Sequence, residues 1–393
     1  MYLKHLEIHK FRNLKSFAGN FAPELNFFFG DNAQGKSNLI EAIYLLCLAK
    51  SYRTNEDAEL APFGDSTFHL EGIFSDREGL RNRVIIMYDA AAGKSIKIDG
   101  KKVIAYSKVV GKFPIIVLSN DDYQITSGPP AQRRRYFNIL LSQGSARYLD
   151  DLKEYEKILK QRNRVLQENS QGKRLQEHPA GRGGTSANNL LEIWDQQLIR
   201  VGAEIMQIRQ KTVEEINALV APLYQQISDS AVRFRIEYRP CVPIKPGIEL
   251  QGSFASSLQN MRYKEQRFGM SLVGPHRDEF VFLVAEHDLR KYGSQGEHKS
   301  ALVSLKAAEA RFLLHKTETE PILLLDDLNA ELDKHRSKNV LKLFQDHHQV
   351  FVTGTSLDHE AFKKHYAYSF KPASFWIRDG EISSLAFNDP VGS

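Results

Sequence analysis

The chain of 393 residues is 42% hydrophobic and 26% charged, an ordinary globular composition whose length sets an expectation of two or three domains. No apolar run approaches the ~20 residues a membrane-spanning helix needs, and residues 1–15 scatter Lys4, His5, Lys10, Arg12 and Lys15 among single apolar residues, so neither a membrane span nor a signal-peptide core is expected. The net charge is +5, and residues 131–240 hold all of the excess, with 18 Lys+Arg against 13 Asp+Glu where the remainder of the chain has 35 of each.

In chain order, Leu3 to Phe11 alternates loosely and Leu25 to Phe29 (LNFFF) predicts a short buried strand. The octapeptide Gly30-Asp31-Asn32-Ala33-Gln34-Gly35-Lys36-Ser37 follows, then a helical segment, SNLIEAIYLLCLA. Lys94 to Val103 centres on Asp99-Gly100, a hairpin signal because both turn residues must tolerate positive φ. Phe113 to Ser119 reads as another buried strand.

Beyond residue 130 the pattern becomes helical. Residues 145–168 read as one helix, and from Leu191 the apolar side chains fall at Trp194, Leu198, Val201, Ile205 and Ile208, a 3-4 spacing that gives a narrow seam. Glu168 to Asn189 between them has Gly181, Gly183, Gly184 and Pro179 but few large apolar residues, which predicts a flexible loop at the tip of an antiparallel hairpin. At 1.5 Å per residue, such helices reach roughly 36 Å. Strands are expected at Val232 to Tyr238 and Phe280 to Ala285, followed by an α/β alternation: Gln295–Lys316, Ile322–Leu325, Lys334–Asp346 and Val350–Thr353.

The octapeptide matches G-x-x-x-x-G-K-[ST] with a strand before it and a helix after it. Glycines let the backbone curl round phosphate oxygens, and the helix start adds a favourable dipole. Lys36 is the expected contact to the β- and γ-phosphates of ATP and Ser37 the expected Mg²⁺ ligand. Far downstream, Pro321-Ile322-Leu323-Leu324-Leu325-Asp326-Asp327 sets two carboxylates at the carboxyl end of a buried strand, where ligand sites of parallel sheets lie. Asp326 suits a Walker-B role toward Mg²⁺ and Asp327 the polarisation of an attacking water; a capping pair before the next helix is the plainer alternative. Two cysteines, Cys47 and Cys241, cannot build a disulfide framework and fit a reducing cytoplasm.

Two further segments resemble the ABC-type ATPases. Tyr292-Gly293-Ser294-Gln295-Gly296-Glu297 is similar to the signature motif, and Asn329-Ala330-Glu331-Leu332-Asp333 to the D-loop. The resemblance implies that Ser294, Gly296 and Asp333 serve ATP held by the opposite protomer, hence a homodimer with two sandwiched nucleotides. Within that superfamily the chain resembles the RecF family almost end to end, through the opening that contains Phe11-Arg12-Asn13, Lys50-Ser51-Tyr52-Arg53-Thr54, Gly128-Pro129-Pro130 with Arg133-Arg134, Gln161-Arg162-Asn163, Trp194-Asp195 and Gly274-Pro275-His276-Arg277-Asp278. It departs from that pattern at Ser119-Asn120-Asp121-Asp122, at Asn138, at Glu297-His298-Lys299-Ser300 and at Thr353-Gly354-Thr355, which stands where other ABC ATPases have a switch histidine.

The resemblance implies an α/β fold, an ABC/SMC-type ATPase head. Lobe I would take residues 1–117 and 292–393, and a mainly helical lobe II residues 118–291. It also implies a cytoplasmic, ATP-dependent DNA-binding protein of recombinational repair and replication. Such a protein dimerises on ATP, binds double- and single-stranded DNA near gaps, and works with RecR and RecO to load RecA, with slow hydrolysis. Another SMC- or OLD-like P-loop ATPase acting on DNA is the alternative. Arg133, Arg134 and Arg135 are candidate DNA-phosphate contacts; intramolecular ion pairs are an equal reading of them. His276 with Arg277 and Asp278 reads either as catalytic or as a packed loop.

Overall fold

The computed structural model describes the chain apart from residues 77, 171–182, 229–230, 245–246, 328–348, 356–371 and 386–393, and apart from the side chains of residues 106, 183–188 and 385. In chain order the described elements are β1 (Tyr2–Phe11), β2 (Leu14–Asn20), β3 (Leu25–Phe29), α1 (Lys36–Leu48), β4 (Thr67–Ser75), β5 (Arg81–Asp89), β6 (Gly93–Ile98), β7 (Lys101–Lys102), β8 (Ile115–Leu118), α2 (Tyr123–Ser127), α3 (Pro130–Gly144), α4 (Ala146–Ser170) and α5 (Gly183–Ser228). They continue as β9 (Phe234–Arg239), α6 (Leu250–Phe268), β10 (Glu279–Val284), β11 (His287–Asp288), α7 (Leu289–Tyr292), α8 (Gln295–Thr317), β12 (Ile322–Leu325), β13 (Val350–Gly354), β14 (Ala373–Arg378) and β15 (Glu381–Leu385). Two compact units result: Met1–Tyr123 with Pro222–Ala231 and Gln295–Ser393, and Gln124–Ala221 with Val232–Ser294.

The first unit contains two sheets. One is antiparallel, in the order β2-β1-β4-β5-β6-β7. Its β6–β7 turn is the expected hairpin, with Asp99 at φ 51 and Gly100 at φ 77, the paired positive values of a type I′ turn. The other runs β15-β14-β3-β13-β12-β8 and is parallel except at β15. Its inner strands are short apolar runs because both faces are covered. Phe21, Phe28, Phe351 and Phe375 interlock with ring centroids 5.1–6.0 Å apart. Helix α1 is apolar all round, and eleven of its thirteen residues are buried. It packs on β1, β4 and β5 of one sheet and on β8 and β13 of the other, which is the place such a helix requires.

The second unit is built from α3, α4, most of α5, α6 and the three-stranded sheet β11-β10-β9. Arg162, wholly buried on α4, donates to Asp195 at 2.7 Å, Glu265 at 2.5 Å and Ser271 at 2.7 Å, which ties α4 to α5 and α6. Two structural differences from the sequence expectations stand out. At both ends of the loop predicted over 168–189 the chain is helical, since α4 runs to Ser170 and α5 begins at Gly183, while residues 171–182 lie outside the described residues; extending an existing helix is far easier than nucleating one, so Gly-Gly breaks it less than composition suggests. Helix α5 also runs 46 residues, past the Leu191–Ile208 stretch, with Pro222 inside it at the first residue of the stretch that belongs to the first unit. The helix expected at Lys334–Asp346 lies outside the described residues.

Candidate nucleotide site

The phosphate-loop segment leaves β3 at Gly30, where an added Cβ would collide with the Ile377 carbonyl oxygen. Gly35 sits at φ 115, and a Cβ there would lie 2.8 Å from both Asn13 Oδ1 and Leu14 Cδ2. A side chain is thus excluded twice, by conformation and by space. Lys36 opens α1, is buried, and its Nζ donates to the carbonyls of Gly30 and Asp31 at 2.8 Å each. The first turn of α1 has no acidic residue of its own, so no carboxylate within the helix itself offsets the positive end of its dipole.

Neighbouring residues brace the loop. Asn13 Nδ2 donates to the Ala33 carbonyl at 3.2 Å, Asn38 Nδ2 to Asn13 Oδ1 at 2.7 Å, and the Asp379 amide to Gln34 Oε1 at 2.6 Å. Asp31 and Asn32 are exposed on the loop. One turn along α1, the buried Glu41 accepts from Arg12 at 2.9 and 3.1 Å, from Arg53 at 3.2 Å and from Ser51 at 2.5 Å. Arg12 and Arg53 also border a groove of about 1030 Å³ with Asn38, Lys10, Lys15 and the exposed Phe63.

The acidic pair is positioned by the parallel register. Strand β12 lies between β13 and β8, pairing Leu325 with Val352 and with Leu118, so Asp326 emerges at the carboxyl edge of the sheet. Its Oδ1 accepts from Ser37 Oγ at 3.1 Å and from Thr353 Oγ1 at 2.8 Å. Burial pushes the Asp326 carboxyl above the usual carboxylate range, with Asp327 adding to the rise, while the hydrogen bonds from Thr353 and Ser37 pull the other way. Asp327 takes a left-handed conformation at φ 57, and its amide donates to Thr353 Oγ1 at 2.8 Å. The loop and the acidic pair, 289 residues apart at Ser37 and Asp326, therefore form one site. A hydroxyl and a carboxylate oxygen side by side are hard oxygen donors of the kind Mg²⁺ takes along with phosphate oxygens and water.

Other predicted residues fall elsewhere. Ser294 is exposed immediately before α8, and Gly296 lies in the first turn of that helix. Asp333 and the D-loop lie outside the described residues. Arg133 is buried and bound to the Gly128 carbonyl at 2.9 Å and Glu279 at 3.1 Å, so it makes an intramolecular pair. Arg134 is half-buried and donates to the Asp278 carbonyl at 2.9 Å, whereas Arg135 is exposed.

The Gly274–Asp278 element is packed. Asp278 is wholly buried, accepts from Arg209 at 2.7 Å and from the Cys241 amide at 2.8 Å, and also receives the Tyr238 hydroxyl. His276 bridges Tyr155 at 2.6 Å and the Ser271 carbonyl at 3.1 Å, and burial lowers its pKa to about 4. Asn138, an apparent departure, accepts from Tyr148 and Arg209 at 2.9 Å each in the same network. Thr353 is a site residue that sequence reading marked only as part of the Thr353-Gly354-Thr355 segment at the switch-histidine position, without a role toward Asp326 or Asp327.

The RecF/RecN/SMC N terminal domain family matches residues 2–369. The DNA replication and repair protein RecF of Lysinibacillus sphaericus is 33% identical over 94% of this chain and 98% of its own length. That of Staphylococcus carnosus is 34% identical over 97% and 100%. Among solved structures, the recombination mediator protein RecF of the RecFOR pathway, determined with ATP, superposes with a TM-score of 0.85 at 30% identity over 98% of both chains. An Smc head bound to the C-winged helix domain of ScpA shares the fold at a TM-score of 0.55 and 14% identity, with 99% of this chain and 98% of that one covered. With its ATPase-head fold and a family match that spans most of its length, the chain belongs to the RecF family.

Proposed function

We propose that this chain is an ATP-gated DNA-binding protein of recombinational repair and replication, in which nucleotide closes a homodimer on DNA and slow hydrolysis reopens it. The observation that carries the reading is the Ser37–Asp326 hydrogen bond of 3.1 Å. It joins the phosphate loop to the Walker-B carboxylate in a family whose solved RecF relatives were determined with ATP and its thio analogue.

In this reading the 30–37 loop and the start of α1 receive the phosphates, and Lys36 exchanges the Gly30 and Asp31 carbonyls for phosphate oxygens. Ser37 and Asp326 would hold Mg²⁺, which neutralises phosphate charge when bound. Asp327 orients and polarises the attacking water. Ser294, Gly296 and Asp333 act on the nucleotide of the opposite protomer. The ATPase lobe corresponds to residues 1–117 and 292–393, and lobe II to residues 118–291. The basic excess of residues 131–240 supplies DNA contacts in lobe II, with the exposed Arg135 and the half-buried Arg134 the candidate members of the arginine triplet. Double- and single-stranded DNA near gaps, RecR and RecO, and loading of RecA in the cytoplasm complete the proposal.

The test is binding of a gapped duplex by the wild-type chain, Lys36→Arg and Ser294→Arg, with and without Mg·ATP. Nucleotide should tighten wild-type binding by at least tenfold and leave both variants unchanged. Affinity should also fall steeply with salt as phosphate contacts release counterions. A wild-type affinity indifferent to nucleotide would overturn the reading.

A further inference from the structure

Thr353 lies one residue before the end of β13, beside the strand that leads into the acidic pair, and its hydroxyl is used twice. It donates its single proton to Asp326 Oδ1 at 2.8 Å and accepts the Asp327 amide at 2.8 Å. The residue is 2% exposed, so water does not readily substitute for it. A buried strand position between apolar neighbours calls for valine or isoleucine, and burying a hydroxyl there is costly unless it is bonded. Here its one donor proton and one of its acceptor lone pairs are engaged by the acidic pair. Asp327 is held in the left-handed region, at φ 57, which a residue with a Cβ adopts only with local support.

We propose that Thr353 is a positioning residue of the nucleotide site: it orients the Asp326 carboxylate toward Ser37 and, through the same oxygen, sets the main-chain direction of Asp327, so the two carboxylates are aimed as one unit. This deepens the nucleotide-switch reading and rests on it. The hydroxyl is neutral, so it fixes the carboxylate without cancelling the charge that a metal ion needs. Only threonine and serine can give and take a hydrogen bond here at this size. Valine keeps the volume and loses both bonds.

The test compares the full-length wild type, Thr353→Val, Thr353→Ser and Lys36→Ala. Three properties are measured: affinity for a fluorescent ATP analogue in EDTA and across a Mg²⁺ titration, kcat and KM for hydrolysis, and the thermal midpoint without nucleotide. Thr353→Val should bind in EDTA within about twofold of wild type. It should need about tenfold more Mg²⁺ for half-maximal binding and lose about 10- to 100-fold in kcat with KM little changed, the scale of a hydrogen bond to a charged group. Thr353→Ser should stay within about threefold of wild type in each. If the thermal midpoint shows that valine unfolds the sheet, Thr353→Cys, close in volume and a weak hydrogen-bonding group, takes its place with the same expectations.

The inference fails if the valine variant keeps the wild-type Mg²⁺ requirement and kcat. It fails equally if serine is as impaired as valine, since the lost methyl and not the hydroxyl would then matter. A wild-type chain that binds no analogue in any condition overturns the nucleotide reading and this inference together. Binding that Lys36→Ala abolishes, together with a Thr353→Val chain whose Mg²⁺ requirement and kcat equal those of wild type, overturns this inference alone.

Discussion

Two buried aspartates, one in each unit, show how the same side chain is set to different work. Asp278 is saturated by a guanidinium, a phenol and an amide, with Arg209 cancelling its charge. Asp326 is buried almost as deeply, yet its described donors are two neutral hydroxyls. The first arrangement locks helix to strand. The second leaves a carboxylate with no described cation hydrogen-bonded to it, at the carboxyl edge of a parallel sheet beside the 30–37 loop.

The contrast breaks most visibly in stability. Asp278→Asn leaves Arg209 charged and buried without its counter-ion, and urea unfolding should show the helical unit losing about 3–5 kcal/mol. A loss below about 1 kcal/mol would mean that the network is not the lock described.

The pH dependence gives the next largest effect. His276 has its pKa lowered to about 4 against about 6.5 in an unfolded chain, so folding favours the neutral ring. The stability it confers is therefore complete above pH 6.5 and lost as pH falls from about 6.5 to about 4, amounting to about 3 kcal/mol. His276→Gln should remove that slope from the helical unit's pH–stability curve.

Gly35→Ala places a Cβ against Asn13 and Leu14 at φ 115. Differential scanning calorimetry should report a loss of about 1–2 kcal/mol in the first unit, together with loss of ATP binding. The smallest effect has the opposite sign. Because burial raises the Asp326 pKa, the protonated form is favoured on folding, and the stability this confers at acid pH disappears as pH rises through the folded value. Asp326→Asn should thus be slightly more stable than wild type in urea at pH 8 while hydrolysis falls by about 100-fold, the exchange of stability for activity expected at a working site. Destabilisation by the asparagine would erase the contrast with Asp278.

Much of the nucleotide site is legible because its parts are local. Gly30 to Ser37 carries its own turn geometry, and the apolar run before Asp326 announces a buried strand by composition. Thr353 is not legible, since its importance arises from a parallel pairing that brings Val352 beside Leu325, and no local pattern encodes which strand will be the neighbour. Arg133 misleads for a related reason: three consecutive arginines look like a basic surface, yet a helix turns them to different sides, and only Arg135 of the three is exposed. Asn138 and Arg162 likewise show their meaning only when distant segments close on them. Helix α5 runs beyond Ile208 because the apolar spacing resumes at Val213, Ile216, Val220, Leu223 and Ile227, all of them buried.

The central claim is that Ser37 and Asp326 close a nucleotide site whose occupancy governs assembly. Sedimentation of the wild-type chain with and without Mg·ATP, beside Lys36→Ala and Ser294→Arg, tests it most directly. The account predicts that nucleotide converts the wild type from one chain to two and leaves both variants as single chains. A wild-type mass unaffected by nucleotide, or a Ser294→Arg variant that dimerises as wild type does, would contradict it.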